Sequence, residues 1–106
     1  MRKRFGRWLK EVRVTAGLTQ LDVAAALDYA YPTTVSQIER GASALPPGEL
    51  FRWAEAIKMS PQEVAEKYLY FIEPFLYIAL YGKDPYLAEG LPKPEPVLMR
   101  RLARSG

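Results

Sequence analysis

The amino-acid sequence predicts an all-α protein, and three observations carry that prediction. Apolar residues recur at three- and four-residue spacing in successive short windows. Glycine, proline and short hydroxyl residues stand between those windows, where helices stop and start. No segment alternates apolar and polar residues with the two-residue period of a strand, and there is no internal repeat. The expected architecture is five short helices joined by tight turns, with a hydrophobic helical extension and a proline-rich tail.

In the first window Phe5, Trp8, Leu9, Val12 and Ala16 define an amphipathic helix over residues 5–16, stopped by Gly17. Thr19 is a good N-cap for a second helix over residues 20–27, where Val23, Ala24 and Leu27 share one face. Residues 28–31 form a turn. Pro32 suits the first position of a third helix, since its missing N–H costs nothing there. Val35 and Ile38 face inward from that helix, and Gly41 ends it. After a loop, Leu50, Trp53, Ala54 and Ile57 make the buried stripe of a fourth helix over residues 47–58. Ser60-Pro61-Gln62-Glu63 is a capping box with proline just inside the helix start. The fifth helix it opens reaches residue 81, and Pro74 is expected to kink or split it, lacking a donor and clashing one turn back. Beyond Gly82, Pro85, Pro92, Pro94 and Pro96 predict an extended end, with a short basic helix over residues 97–104.

Composition excludes whole classes of chemistry. At 106 residues and 49% apolar content the chain supports one core. With no cysteine there is no disulfide, thiolate nucleophile or cysteine zinc site, and with no histidine the commonest general base and metal ligand are gone. Neither a phosphate loop nor a paired-acid setting occurs, so no enzymatic activity, metal or cofactor is expected. The net charge of +3 is unevenly placed. Residues 1–20 carry Arg2, Lys3, Arg4, Arg7, Lys10 and Arg13 against Glu11 alone, whereas residues 21–60 are net acidic. The opening MRKRFGRWLKEV lacks the apolar run of a signal peptide, and residues 68–81, broken by Glu73 and Pro74, fall short of a bilayer span. A cytoplasmic protein with no membrane partner is the expectation.

The informative segment is residues 18–41, LTQLDVAAALDYAYPTTVSQIERG. Two short helices meet at a brief turn. The first carries the small residue Ala24 where backbones approach closely. The second turns Val35 and Ile38 inward and short polar side chains outward. A helix-turn-helix needs this: a polar exposed face to bond base edges, and an apolar face to anchor it.

These residues resemble the lambda-repressor/Cro-like helix-turn-helix family, also called the XRE family. The likeness rests on Gly17-Leu18-Thr19-Gln20, on Val23, Ala24 and Leu27, and on Val35-Ser36-Gln37-Ile38-Glu39-Arg40-Gly41. Leu50, Trp53, Ala54, Ile57, Met59, Ser60 and Val64 match the family's fourth and fifth helices, so about residues 5–68 are covered. Departures are an extra turn position before the third helix, Asp28 and Lys58 in place of usual turn glycines, and Pro32 in place of a polar residue.

The resemblance implies roles. Thr33 and Gln37, four apart on one face, correspond to base-contacting positions, with Thr34 and Ser36 beside them. Gln20, at a helix start with free backbone N–H groups, suits a phosphate. Arg40 and the loop amides after Gly41 suit the groove's other flank, and Arg2, Lys3 and Arg4, in a basic arm with Arg7, add phosphate attraction. Arg13 and Glu39 match a structural pair that ties the first helix to the recognition helix.

Residues 1–67 are therefore expected to form the DNA-binding domain, and residues 68–106 a hydrophobic extension and tail. Residues 68–81 are apolar nearly all round, which requires cover on more than one side. Tyr68, Phe71, Ile72, Phe75, Leu76 and Ile78 are the expected dimer or partner surface. The implied function is a small dimeric repressor of its own or a neighbouring operon, in the manner of phage regulators. The alternative is a protein-binding module, such as an antitoxin whose carboxyl third holds a partner protein.

Overall fold

A computed structural model describes residues 1–82. Its elements are α1 (Arg2–Thr15), α2 (Gln20–Ala26), α3 (Thr33–Glu39), a 3-10 turn (Pro47–Glu49), α4 (Leu50–Ala56), α5 (Pro61–Ile72) and α6 (Pro74–Tyr81). Among the described residues there is no strand, and no helix is long and apolar enough to cross a membrane. The expected helix at 97–104 and the proline-rich tail lie outside the described residues.

Local chemistry explains where the helices begin and end. At the start of α2 the Thr19 hydroxyl accepts from the Asp22 amide at 3.0 Å, and the Asp22 carboxylate accepts from the Thr19 amide at 2.8 Å. This reciprocal box uses two otherwise orphan donors. Asp22, expected to be only a solvated helix residue, thus closes the start of α2. Its carboxyl is held below the usual range by the Thr19 backbone bond first and the Thr19 hydroxyl second. Ser60 caps α5 by accepting from the Glu63 amide at 3.1 Å. The Glu63 carboxylate takes the Ser60 hydroxyl at 3.3 Å.

Three boundaries differ from the periodicity reading. Helix α1 starts at Arg2, so the basic residues at its head are helical and not an arm. Apolar spacing begins only at Phe5, whereas arginine and lysine have good intrinsic helix propensity. Pro47 opens a 3-10 turn, and the fourth α-helix begins only at Leu50. Pro32 lies just outside α3, at φ −70° and ψ −6°. Pro74 splits the long fifth helix: Glu73 leaves the helical region, at φ −128° and ψ 65°, where the following proline disfavours helix, and Pro74 starts α6.

The core joins α1 through α5. Leu9, Val23, Val35, Trp53, Ala54 and Val64 are fully buried, with Leu27, Ile38 and Ile57 nearly so. Two turns before core-forming helices use a left-handed residue that is not glycine: Asp28 at φ 59° and Lys58 at φ 61°. Arg52 steadies the first by donating to the Leu27 carbonyl at 2.7 Å and the Asp28 carboxylate at 3.3 Å.

Candidate nucleic-acid interface

Helix α3 owes its two-faced character to its sequence. Val35 and Ile38, three apart, drop into the core, while Thr33, Thr34 and Arg40 are exposed and Ser36 and Gln37 half-exposed. The turn that delivers α3 is pinned from below. Tyr29 donates its hydroxyl to Glu49 at 2.5 Å and accepts from the indole N–H of the fully buried Trp53 at 3.3 Å. Burial first, and the bond to Glu49 second, push the Tyr29 phenol above its ordinary value. Tyr31, in the same turn, is 72% exposed immediately before α3.

A buried ion pair joins α1 to the end of α3. Arg13 Nε donates to Glu39 Oε2 at 2.6 Å and Arg13 Nη2 to Glu39 Oε1 at 3.1 Å, with side-chain exposures of 9% and 2%. Arg13 Nη1 also reaches the Leu18 carbonyl at 2.8 Å, just before α2. Gln20 Nε2 donates to Glu39 Oε1 at 3.0 Å. One carboxylate at the end of α3 thus gathers α1 and the head of α2. Both charges are heavily hydrogen-bonded, which buried charges require.

Backbone contact completes the clamp. A Cβ on Gly6 would lie 2.3 Å from the Glu39 carbonyl oxygen and 2.5 Å from that of Ile38. At the end of α3, a Cβ on Gly41 would lie 2.7 Å from the Lys3 amide nitrogen, and its φ of +75° is itself a glycine conformation. The head of α1 therefore lies directly on the tail of α3.

The sequence-predicted phosphate residues divide. Lys3, Gln20 and Arg40 come together around one open groove of about 360 Å³, joined by Arg7, Lys10, Ser36 and Glu39. Arg2 borders a separate crevice beside Phe5, Ile38 and Tyr68. Arg4 stacks over the Phe71 ring, 5.1 Å from its centre. The first loop amides after α3 are already engaged: Gly41 donates to Ile38, and Ala42 and Ser43 both donate to the Gln37 carbonyl. They do not form the free phosphate flank expected of them. Arg7, part of the expected basic arm, lies in this groove, and so does Lys10, which the arm did not include although its spacing from Lys3 and Arg7 marks one face of a helix.

The carboxyl-terminal apolar residues also divide. Phe71 is buried, and Tyr68 and Ile72 pack against the core, with Tyr68 edge-on to Phe5 at 5.5 Å. Phe71 is thus core and not surface, because α5 lies against α1 there. Phe75 and Ile78 are half-exposed, while Leu76 is 53% and Leu80 68% exposed. The expected boundary at residues 67 and 68 falls inside α5.

A family model described as a helix-turn-helix domain matches residues 4–66. No curated protein matches the chain, and no solved structure does.

Proposed function

The chain belongs to the helix-turn-helix domain family, a family of DNA-binding regulators, and from this premise we propose that it is a sequence-specific repressor acting as a homodimer on a near-palindromic operator. The observation that carries the reading is the clamped α3: its apolar face is buried, its end is held by Arg13 and Gly6, and Thr33 and Gln37 project from the side left open. In this reading Gln37 bonds an adenine edge and Thr33 touches a thymine methyl, with Thr34 and Ser36 as neighbours. Gln20 spends one amide hydrogen on Glu39 and offers the other to a phosphate.

The dimer reading rests on α6. It packs on α5, yet Leu76 and Leu80, four apart, present an apolar stripe to solvent. A second copy covers that stripe and sets two recognition helices about 34 Å apart, one turn of duplex. Single modules bury little surface on DNA, and linkage of two supplies the affinity for a unique site. The reading unit then runs through α5, and α6 with the following residues forms the linking part.

The test is competition binding of the purified chain to duplex from its own upstream region against random duplex, with the parent and Gln37→Ala side by side. Preference for the upstream duplex is expected, with Gln37→Ala losing roughly 1–3 kcal/mol of it at one position per half-site. Equal binding of both duplexes by the parent refutes the reading.

A further inference from the structure

We propose that the face of α1 carrying Lys3, Arg7 and Lys10 is a rigid rail that, with Arg40 of α3, seats the phosphodiester backbone of one DNA strand alongside the recognition helix. The inference rests on the DNA-binding reading and deepens it by naming a second contact element, outside the helix-turn-helix itself.

The three α1 residues lie at positions i, i+4 and i+7, one face of a helix about 10 Å long. That is long enough to follow more than one charge of a strand, whose phosphates repeat about every 3.4 Å of duplex axis. All three border the same open groove as Arg40. The only carboxylate there is Glu39, and both its oxygens are taken by Arg13 and Gln20. Among the described residues none of the four cations has an ion-pair partner. Their placement runs against helix stability: Lys3 and Arg7 are like charges four apart, and the first turn of α1 holds no acidic residue to meet the helix dipole. A polyanion in the groove relieves both.

The rail is rigid because Gly6 and Gly41 leave no room between the head of α1 and the tail of α3. A strand bound there pays no entropy to order a flexible arm, and its position is set relative to Ser36 and Arg40. The groove meets backbone and not base edges, so it contributes affinity without sequence preference.

The experiment is the salt dependence of duplex binding for the parent, for Arg7→Gln with Lys10→Gln, and for the control pair Lys58→Gln with Lys67→Gln, which removes equal charge outside the groove. The groove pair is expected to lower the slope of log affinity against log salt by about 1.8, which is roughly tenfold less affinity lost over a fourfold rise in salt. Operator preference over random duplex stays at the parent value, and the control slope is unchanged. A parent slope retained by the groove pair, or an equal fall in both pairs, overturns the rail while leaving the DNA reading intact. A parent that binds no duplex at all overturns both.

Discussion

Gly6 in α1 meets Glu39 at the end of α3 so closely that a Cβ would stand 2.3 Å from the Glu39 carbonyl oxygen. The obstructing atom is backbone, so no side-chain rotation relieves the clash. Gly6→Ala must push α1 off α3 and is expected to cost about 1–3 kcal/mol, as overpacking does. For a domain of this size that lowers the Tm by several degrees. Operator binding should fall further than stability alone explains, because the recognition helix is re-aimed. A melt that overlays the parent shows that the two helices part freely.

The same helix end depends on the Arg13–Glu39 pair. Arg13→Ala or Glu39→Ala leaves a buried charge uncompensated and should cost about 3–5 kcal/mol. Replacing both together, Arg13→Ala with Glu39→Ala, should cost much less than the sum of the singles, because neither charge is then left unpaired. Denaturant unfolding of the four proteins measures this, and strict additivity rules the coupling out.

Lys58 is expected to be a stabilising site for change. Its φ of 61° places a side chain in the left-handed region, at a cost of about 1–2 kcal/mol that glycine does not bear. Lys58→Gly should raise the unfolding free energy by about 1 kcal/mol, read as a higher denaturation midpoint. Asp28→Gly, at φ 59°, should gain less, because it forfeits the contact with Arg52. A lowered midpoint for Lys58→Gly counts against the strain.

Tyr29 predicts an alkaline limit. Its folded pKa is raised above 10.0, first by burial and then by Glu49. A raised pKa means that the folded state binds the proton more tightly, so the contribution is complete below about pH 10 and is lost as pH climbs through the folded pKa. Tyr29→Phe should be less stable at neutral pH, since the Trp53 N–H loses its acceptor in the core, and should fall less steeply above pH 10. Parallel pH profiles for the two proteins would show that this phenol is not responsible.

Leu76→Asp tests assembly with little risk to the fold, because Leu76 is 53% exposed. The parent should be dimeric by light scattering and the variant monomeric, with operator affinity greatly reduced. A parent that stays monomeric at tens of micromolar, with and without duplex, gives the α6 stripe to a different protein partner.

The helices and the two faces of α3 were legible in the sequence because both follow from local rules. The spacing of Val23 with Leu27 and of Val35 with Ile38 is a property of one turn of chain, and Thr19, Ser60 and Pro74 act on their immediate neighbours. Only the family resemblance pairs Arg13 with Glu39, and nothing local to either residue links them across the intervening chain. The roles of Gly6, Tyr29, Arg4 and Phe71 had no such signal. Gly6 matters because two helix backbones touch there, Tyr29 because Glu49 and Trp53 come beneath it, and Arg4 because the Phe71 ring does. The groove joining Lys3, Arg7 and Lys10 to Arg40 is of the same kind: the spacing makes one face of α1, and only the packing of α1 on α3 decides what that face lies beside. Close packing between segments remote in the chain depends on shape summed over the whole core, which no local window of residues contains.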